Sequence, residues 1–589
     1  MIAQDPSVKD AKGKVLTTQI EIPAEDLSPG PRGYRVHVFD YDSSTDTFYA
    51  PPQYDDPVGG CYTDPFEELA AHGRTDELLA DPKFHSQNVY AIVMRTLARF
   101  EFALGRRVSW GFPGHQIYVA PHAFADANAF YSENDQCLAF GYFIVPGRND
   151  PPEPVFTCLS YDVVAHETTH AILDGLRERY TAPSSPEQAG FHEGFADVVS
   201  LLSVFSLRDV VKAILLKDKT TGKDLLGIKG NRIPVASVTR EKLEASLLLG
   251  LAEQMGSELT GIRGSALRRS VQIEPLDWAA DPKPTPYIEE LEFEEPHRAG
   301  ELLVAAMMEA FLRVWLERLD RYIKSDDDID EIDVSVVVEA GADAADHLLT
   351  MAIRGLDYMP PTDIKFSDYL SAVLTCDRET VPDDSRYGYR EKLRESFLAY
   401  GIKPAPKADK DGYWRLATDG FCYDRTHFDS MLSDPNEVFR FIWDNKKRLG
   451  LEDEQDYYGK AYMKVQSVRP CVRIGPDGFT VRETVAEYVQ MSTLRFDELN
   501  SVGINEVRAK IPDDQDITLY GSGALIFDEY GQLKYHIKNS IFSNTNQKRR
   551  IEYLWNAGYY GNPAFTQSLF SRMHLSRTLS SRSNTTEAF

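Results

Sequence analysis

The spacing of hydrophobic positions changes along the chain, and each kind of spacing predicts a kind of element. Residues 1–75 contain short alternating segments between turns rich in Pro, Gly and Asp, which is typical of strands. Apolar side chains then recur every three or four residues from 75 to 105, which predicts a helix. Strand-like alternation returns at 116–120, 128–131 and 137–143. Residues 1–155 are therefore predicted to be rich in β-strands.

Helical spacing dominates the next part of the chain, residues 156–403. The segment 403–412, rich in Lys, Pro and Asp and ending in Gly, predicts a linker. Residues 404–574 then mix a helix that begins near Ser433 with a hairpin around 528–531, so they predict an accessory α+β domain, to which the sequence assigns no role. The tail 575–589, dominated by Ser, Thr and Arg, is predicted to be disordered.

Length and charge narrow the class of protein. A chain of 589 residues is long enough for three or four domains of about 100–200 residues each. Its formal net charge of −27 argues against general binding of nucleic acid or of an anionic membrane, because both need a basic surface. No nucleic-acid or membrane partner is therefore expected.

The N-terminal segment and the cysteines favour a cytoplasmic location. The N-terminal segment has no basic stretch followed by an apolar run, so it does not predict a secretory signal. No segment approaches the roughly 20 apolar residues of a membrane span. The six cysteines are scattered without a Cys-x-x-Cys pair, which is typical of free thiols in a reducing compartment. Export by another route stays open.

The clearest candidate chemistry lies between residues 162 and 197. In His166-Glu167-x-x-His170 the two histidines are four residues apart, so on a helix they differ by about 40° of rotation and can bind one ion. Zinc suits such a set, and as a catalyst it takes three protein ligands. Glu193, which opens a second apolar helix, is the candidate third ligand. Asp197 lies one turn later and could hold the free ring N–H of a ligating histidine.

Several blocks of this sequence resemble the thermolysin family of zinc metallopeptidases, the gluzincins with a His-Glu-x-x-His motif. The resemblance covers roughly residues 80–403. The blocks, in the family's order, are Asn128-Ala129-Phe130, DVVAHETTH at 162–170, HEGFAD at 192–197, Ala266-Leu267-Arg268 and Pro296-His297-Arg298-Ala299-Gly300. The resemblance implies an α+β fold of two lobes, a β-rich N-terminal lobe and a mostly helical lobe with the zinc site. The α+β domain from 404 would be an addition to it.

The resemblance also implies a function, a zinc-dependent endopeptidase. His166, His170 and Glu193 would bind Zn²⁺, and Asp197 would orient one histidine. Glu167 would act as the general base toward a zinc-activated water that attacks the peptide bond.

Other blocks would bind the substrate and stabilise the transition state. His297 and Tyr180 would donate hydrogen bonds to the oxyanion. Asn128 and Ala129 would pair with the substrate backbone as an added strand. Arg268, with Arg269 as its rival, would hold the carbonyl after the cleaved bond, and a bulky apolar residue is expected there in the substrate.

Some alternatives stay open at this stage. Of the acidic residues that bind calcium in relatives, Asp162 is present, but those after the second ligand helix are replaced by Leu-Leu-Ser-Val-Phe-Ser, so a calcium requirement is undecided. The protein could instead be a zinc exopeptidase, although the amine-binding Gly-x-Met-Glu-Asn motif is missing. It could also be a latent metallopeptidase whose C-terminal domain binds a regulatory partner.

Overall fold

The chain is a mixed α and β protein. The computed structural model has 44% helix and 19% strand, which agrees with the expected α+β class. The residues that the structure describes are 1–3, 6, 15–54, 63–144, 154–181, 184–215, 226–245, 273–324, 329–418, 420–451 and 461–560. Arg268, Arg269 and the predicted disordered tail 575–589 lie outside the described residues.

The helices occur mainly in the middle of the chain, as their apolar spacing predicts. They are α1 (Glu67–Ala71), α2 (Thr75–Ala80), α3 (Pro82–Leu104), α4 (Tyr161–Leu176), α5 (Pro186–Phe205), α6 (Arg208–Leu215), α7 (Pro296–Lys324), α8 (Val334–Gly355), α9 (Phe366–Thr380), α10 (Tyr389–Ala399), α11 (Phe428–Met431), α12 (Pro435–Asp444) and α13 (Asn544–Asn556). Among the described residues, no helix combines the length and the apolar character that a membrane crossing requires.

The strands lie toward the two ends of the chain. They are β1 (Val36–Val38), β2 (Tyr41–Asp42), β3 (Thr47–Phe48), β4 (Ile117–Phe124), β5 (Ala129–Ser132), β6 (Cys137–Ile144), β7 (Pro154–Phe156), β8 (Arg232–Pro234), β9 (Glu331–Asp333), β10 (Ala461–Ile474), β11 (Thr480–Arg495), β12 (Asp516–Asp528) and β13 (Leu533–Asn539).

The N-terminal sheet has the strand order β1-β4-β6-β5, with β7 also paired to β6. β1 runs parallel to β4 and β4 parallel to β6, whereas β5 is antiparallel to β6. Among the described residues β5 therefore forms an edge of the sheet. The predicted strands at 116–120, 128–131 and 137–143 correspond to β4, β5 and β6.

Helix α3 packs between the N-terminal sheet and α4. Its start is fixed by Asp81, whose side chain accepts a hydrogen bond from Lys83 N, and by Pro82 in the first turn. Its end is fixed by Gly105 in the left-handed conformation, with φ of 67°. This helix carries the residues predicted to be helical between 75 and 105 and supports the sheet from one side.

Helix α5 is buried along nearly its whole length, including polar side chains such as His192 and Glu193. It packs against α4, α7 and α8. α5 crosses α7 at glycines because the two backbones approach closely: a Cβ placed on Gly194 would lie 2.6 Å from the carbonyl oxygen of Gly300. Likewise, a Cβ on Gly190 would lie 2.9 Å from Pro296 O. The crossing fixes the first turn of α7 against the first half of α5.

The C-terminal sheet is an antiparallel meander in the order β10-β11-β12-β13. The predicted hairpin is confirmed as β12 and β13, which turn through Gly531 with φ of 77°. Val485, Ile526 and Tyr535 belong to the same hydrophobic core as the central helices. The other face of the sheet packs on α12 in a second, smaller cluster.

Buried charges also join this sheet to the helices. Arg473 of β10 is fully buried and pairs with Asp357 and with Glu483, at 2.5 Å in each case. Arg106 contacts the same Asp357 at 2.6 Å. Burial alone would raise the pKa of Asp357, but the charges of Arg106 and Arg473 lower it below its usual value. Removing one member of such a network typically costs about 3–5 kcal/mol, because it leaves a buried charge unpaired.

The predicted linker 403–412 is packed rather than extended between two bodies. The Ala405 amide donates to Ser371 Oγ of α9 at 2.9 Å, and Ala408 is buried in the main core. Shortly after it, the Trp414 amide donates to Thr375 Oγ1 at 2.8 Å. The boundary at 403/404 therefore does not divide two separate cores.

Candidate metal centre

Helix α4 brings the two motif histidines together on one face. His166 and His170 are buried, and their ring centroids are 4.4 Å apart. Glu167 is also fully buried, beside them on the same helix. The four-residue spacing thus gives the shared face that helix geometry predicts.

Helix α5 adds a carboxylate to the pair. Glu193 Oε2 lies 3.7 Å from His166 Nε2, and Glu193 Oε1 lies 3.8 Å from His170 Nε2. Atoms that bind one zinc ion at about 2.0–2.2 Å in a tetrahedral arrangement are roughly 3.3–3.6 Å apart. The three ligand atoms lie within 4.8 Å of one another, so the group could hold a metal ion after a small closure.

The outward-facing nitrogen of each histidine contacts a side chain of α5. His166 Nδ1 lies 2.6 Å from Asp197 Oδ1, the contact that the sequence predicted. His170 Nδ1 lies 2.8 Å from Nδ1 of His192, whose ring stacks on it at 4.8 Å. Burial lowers the pKa of His192 to about 3, which keeps this ring neutral. Both ligand candidates are thus oriented with Nε2 toward Glu193.

Glu167 is held by the edge of the N-terminal sheet. The Tyr131 amide of β5 donates to Glu167 Oε2 at 3.1 Å. The Tyr131 hydroxyl donates to Asp174 Oδ2, one turn beyond His170, at 2.8 Å. Burial raises the pKa of Asp174 to about 7, with the charges of nearby Glu133 and Glu178 acting in the same direction. Glu167, the acid next to the histidines, is thus held by a backbone donor of the edge strand.

The predicted substrate strand lies directly beside the metal cluster. Asn128 O accepts the Gly141 amide at 2.8 Å, so Asn128 faces β6. The amide of Tyr131 points away from β6 toward Glu167, and strand geometry turns the backbone of Ala129, two residues earlier, the same way. The outer edge at Ala129 thus faces away from the sheet, next to α4.

His297 lies in the first turn of α7, which the crossing with α5 brings near the turn that ends at Glu193. Its Nδ1 is 2.5 Å from Glu295 Oε1, and among the described residues its buried Nε2 has no hydrogen-bond partner. Burial opposes ionisation of Glu295, but His297 and two backbone amides outweigh it and lower the pKa of Glu295 to about 2.

The Tyr180 hydroxyl, which the resemblance implies to be an oxyanion donor, has another hydrogen-bond partner in this structure. Its hydroxyl is buried and donates to the carbonyl of Pro360 at 3.0 Å, while its ring packs against Phe191. A role as an oxyanion donor would require this hydrogen bond to break. The reason is local: α4 ends at Leu176, and the following turn directs Tyr180 toward the loop after α8.

Two contributors to this site were missed at the sequence level. His192 was quoted as part of the HEGFAD block but was given no role, although its position beside Glu193 on α5 was visible. Tyr131 is the last residue of the predicted strand 128–131, and its use of a backbone amide leaves no signature in the residue type. Arg268 and its rival Arg269 lie outside the described residues, so their roles stay predictions.

No family model matches the chain, and no curated protein matches it. Function is therefore inferred from the arrangement of these residues.

Proposed function

We propose that the protein is a zinc-dependent endopeptidase of the thermolysin-like, two-lobed kind. The observation that carries the proposal is the position of Glu167, a buried acid between a two-histidine, one-glutamate cluster and an edge strand. A metal ligand set, a base and a strand edge for a peptide then lie side by side. In a zinc-dependent mechanism each of the three contributes to the hydrolysis of an extended peptide.

The donor atoms fit zinc. Two imidazole nitrogens and one carboxylate are a typical catalytic zinc set, whereas calcium takes oxygen ligands. The Asp197 carboxylate can only accept from the outer nitrogen of His166, which selects the tautomer that binds through Nε2; His170 has the matching tautomer when His192 Nδ1 accepts from it. A bound zinc ion would supply Lewis acidity, which lowers the pKa of water toward about 7 and polarises a carbonyl.

The chain's own residues would move the proton. The Glu167 carboxylate would take a proton from the attacking water and deliver it to the leaving amine. The Tyr131 amide would keep it in place through Oε2, because this hydrogen bond ties it to a strand and not to a mobile side chain. Its complete burial would exclude bulk water from the transfer.

Substrate binding would use the edge of β5. A peptide would add as a further strand at Ala129, whose amide now donates to Asn128 Oδ1 at 2.9 Å and would exchange this partner for the substrate backbone. His297, in the first turn of α7 and with a buried Nε2, would donate to the oxyanion. Tyr180 is not part of this proposal, since its hydroxyl is engaged by Pro360. The preference for a bulky apolar residue after the cleaved bond stays a proposal from the resemblance.

Glu167→Gln tests this function. The change keeps the side-chain shape, so we expect zinc content to be unchanged and hydrolysis of an internally quenched peptide to fall by about 10²–10⁴-fold, the usual contribution of a general base. Glu178→Gln makes the same chemical change on an exposed residue two positions beyond α4 and should leave the rate unchanged. Equal rates for the wild type and Glu167→Gln would contradict the proposal.

The cleavage products separate the alternatives. An endopeptidase yields internal fragments of a long peptide, whereas an exopeptidase releases single residues or short pieces from one end. A latent enzyme would bind zinc but cleave only after a partner or a nick is supplied. Mass spectrometry of the digest over time distinguishes these three outcomes.

A further inference from the structure

A second group of buried metal-binding side chains lies in the N-terminal part, away from the cluster on α4 and α5. His85 is in the first turn of α3, His122 is on β4, and Cys158 is in the 3₁₀ turn Thr157–Leu159 that precedes α4. All three are at most 1% exposed, and one ligand atom from each lies within 4.8 Å of the other two. Residues from three distant parts of the chain thus converge in the core.

The outer nitrogen of each histidine is already fixed by an acceptor. His85 Nε2 lies 2.9 Å from the carbonyl oxygen of Leu79, which can only accept. His122 Nδ1 lies 2.9 and 3.0 Å from the two carboxylate oxygens of Asp40. Such partners are what metal-ligating histidines usually have on the ring nitrogen that does not bind the ion.

The two inner nitrogens then face each other. His85 Nδ1 and His122 Nε2 are 2.8 Å apart. If each neutral ring keeps its hydrogen on the outer nitrogen, two lone pairs meet at this distance, and that contact is repulsive unless a positive charge lies between them. The charge could be a proton shared by the rings or a metal ion bound by both.

Cys158 favours the metal ion. Its sulfur is the third ligand atom of the group, and a shared proton would have no need of it. A divalent cation, the Cys158 thiolate and the Asp40 carboxylate sum to zero charge, so the assembly could be buried without a net charge. The rings of Phe156 and Tyr49 pack on His122 at 5.1 and 4.7 Å, and Phe156 also packs on His85 at 4.7 Å, which gives the group an apolar wall.

We propose that His85, His122 and Cys158 form a second metal site, for zinc or a similar borderline divalent ion, with Asp40 as the outer partner of His122. Nitrogen and thiolate donors select this class of ion over calcium or magnesium. Zinc would need the two nitrogens to move from 2.8 Å to roughly 3.3 Å apart, a small rotation of the rings.

The role of this site would be structural. The ion would tie α3 and β4 to the turn that leads into α4, eight residues before His166. The same turn is held by Asn88, whose side-chain amide donates to the Cys158 carbonyl at 3.2 Å. Chemistry at the first cluster does not require this ion, so the two sites can be tested separately.

Cobalt substitution of the full chain tests the proposal, because a thiolate bound to Co²⁺ gives a near-ultraviolet charge-transfer band and the cluster on α4 and α5 contains no sulfur. We expect two cobalt equivalents per wild-type chain together with this band. Cys158→Ser should lose one equivalent and the band. His170→Gln should lose the other equivalent and keep the band. Cys376→Ser, at another fully buried free cysteine, should keep both.

The outcomes are decisive in either direction. A wild-type protein without the band, or a band that persists in folded Cys158→Ser, overturns the second site. If Cys158→Ser does not fold, His122→Asn gives the answer: it keeps the thiol and should weaken binding of the band-forming cobalt at least tenfold, and unchanged binding overturns the proposal. Loss of peptidase activity alone bears only on the function proposed for the first cluster.

Discussion

Gly194→Ala should weaken metal binding through the packing of two helices. Gly194 follows Glu193 on α5, and the added Cβ would lie 2.6 Å from Gly300 O and 2.9 Å from Gly300 Cα. Ordinary van der Waals contact for a Cβ begins at 3.4 Å. Both neighbours are backbone atoms of α7, which cannot rotate away. The helices would therefore have to separate by about 0.8 Å at this point.

The size of the effect follows from that displacement. Overpacking of this kind typically costs about 1–3 kcal/mol, and the better helix propensity of Ala returns about 1 kcal/mol, so the net loss of stability is modest. Metal binding by Glu193, the proposed ligand, is more sensitive, since functional side chains must be held within about 0.5 Å of their productive positions. We therefore expect zinc affinity to fall at least about tenfold, or roughly 1.4 kcal/mol.

Gly341→Ala is the matched control. A Cβ on Gly341 of α8 would lie 2.6 Å from Trp315 Cε2, an equal overlap without any contact to Glu193. Zinc affinity by chelator competition and unfolding by urea would be measured for both variants. If Gly194→Ala is destabilised like the control yet binds zinc as tightly as the wild type, the crossing does not position Glu193, and the reasoning is wrong.

Three further predictions concern single side chains. In the folded chain the pKa of Asp174 is raised to about 7. Between pH ~4 and ~7 the carboxyl is therefore ionised in the unfolded chain but still protonated in the folded chain. The free energy of unfolding falls as the pH rises through this range. Relative to the wild type, the free energy of unfolding of Asp174→Asn should therefore rise by up to about 4 kcal/mol between pH 4 and pH 8, measured by urea titration. A stability difference that does not change with pH would contradict this. His297→Ala should lower kcat by about 10²–10³-fold with little effect on KM, as expected for an oxyanion donor. Tyr180→Phe should cost about 1 kcal/mol of stability with kcat nearly unchanged; if instead kcat falls and stability does not, Tyr180 is the donor.

The sequence could predict the residues whose relation is set within one helix. His166 and His170 share a face because of helical periodicity, and Asp197 follows Glu193 by one turn for the same reason. The hairpin of β12 and β13 was likewise visible from a turn between two apolar runs. These features depend on residues close together in the chain, so their geometry is local.

What could not be predicted depends on contacts between distant parts of the chain. The pairing of His85 with His122 joins residues 37 positions apart, and that of Arg106 with Asp357 joins residues 251 apart. No periodic pattern marks such contacts. The sequence of 403–412 predicts a linker because its Pro, Lys and Gly residues indicate only the local backbone conformation. They do not indicate that the segment packs against the core. Tyr180 was assigned through the resemblance, and the turn after Leu176 directs it elsewhere.

The C-terminal sheet contacts the end of α4, and these contacts can form only late in the synthesis of the chain. The carbonyl of Leu176, at the end of α4, accepts a hydrogen bond from Arg469, which is translated 293 residues later. The adjacent Arg177 pairs with Glu487 of β11. The cluster residues at 166–197 are therefore translated long before β10 and β11, the strands that contact the end of this helix. A nascent chain would hold these histidines without the contacts at the end of α4, so the proposed metal site would be completed only after β10 and β11 have been made.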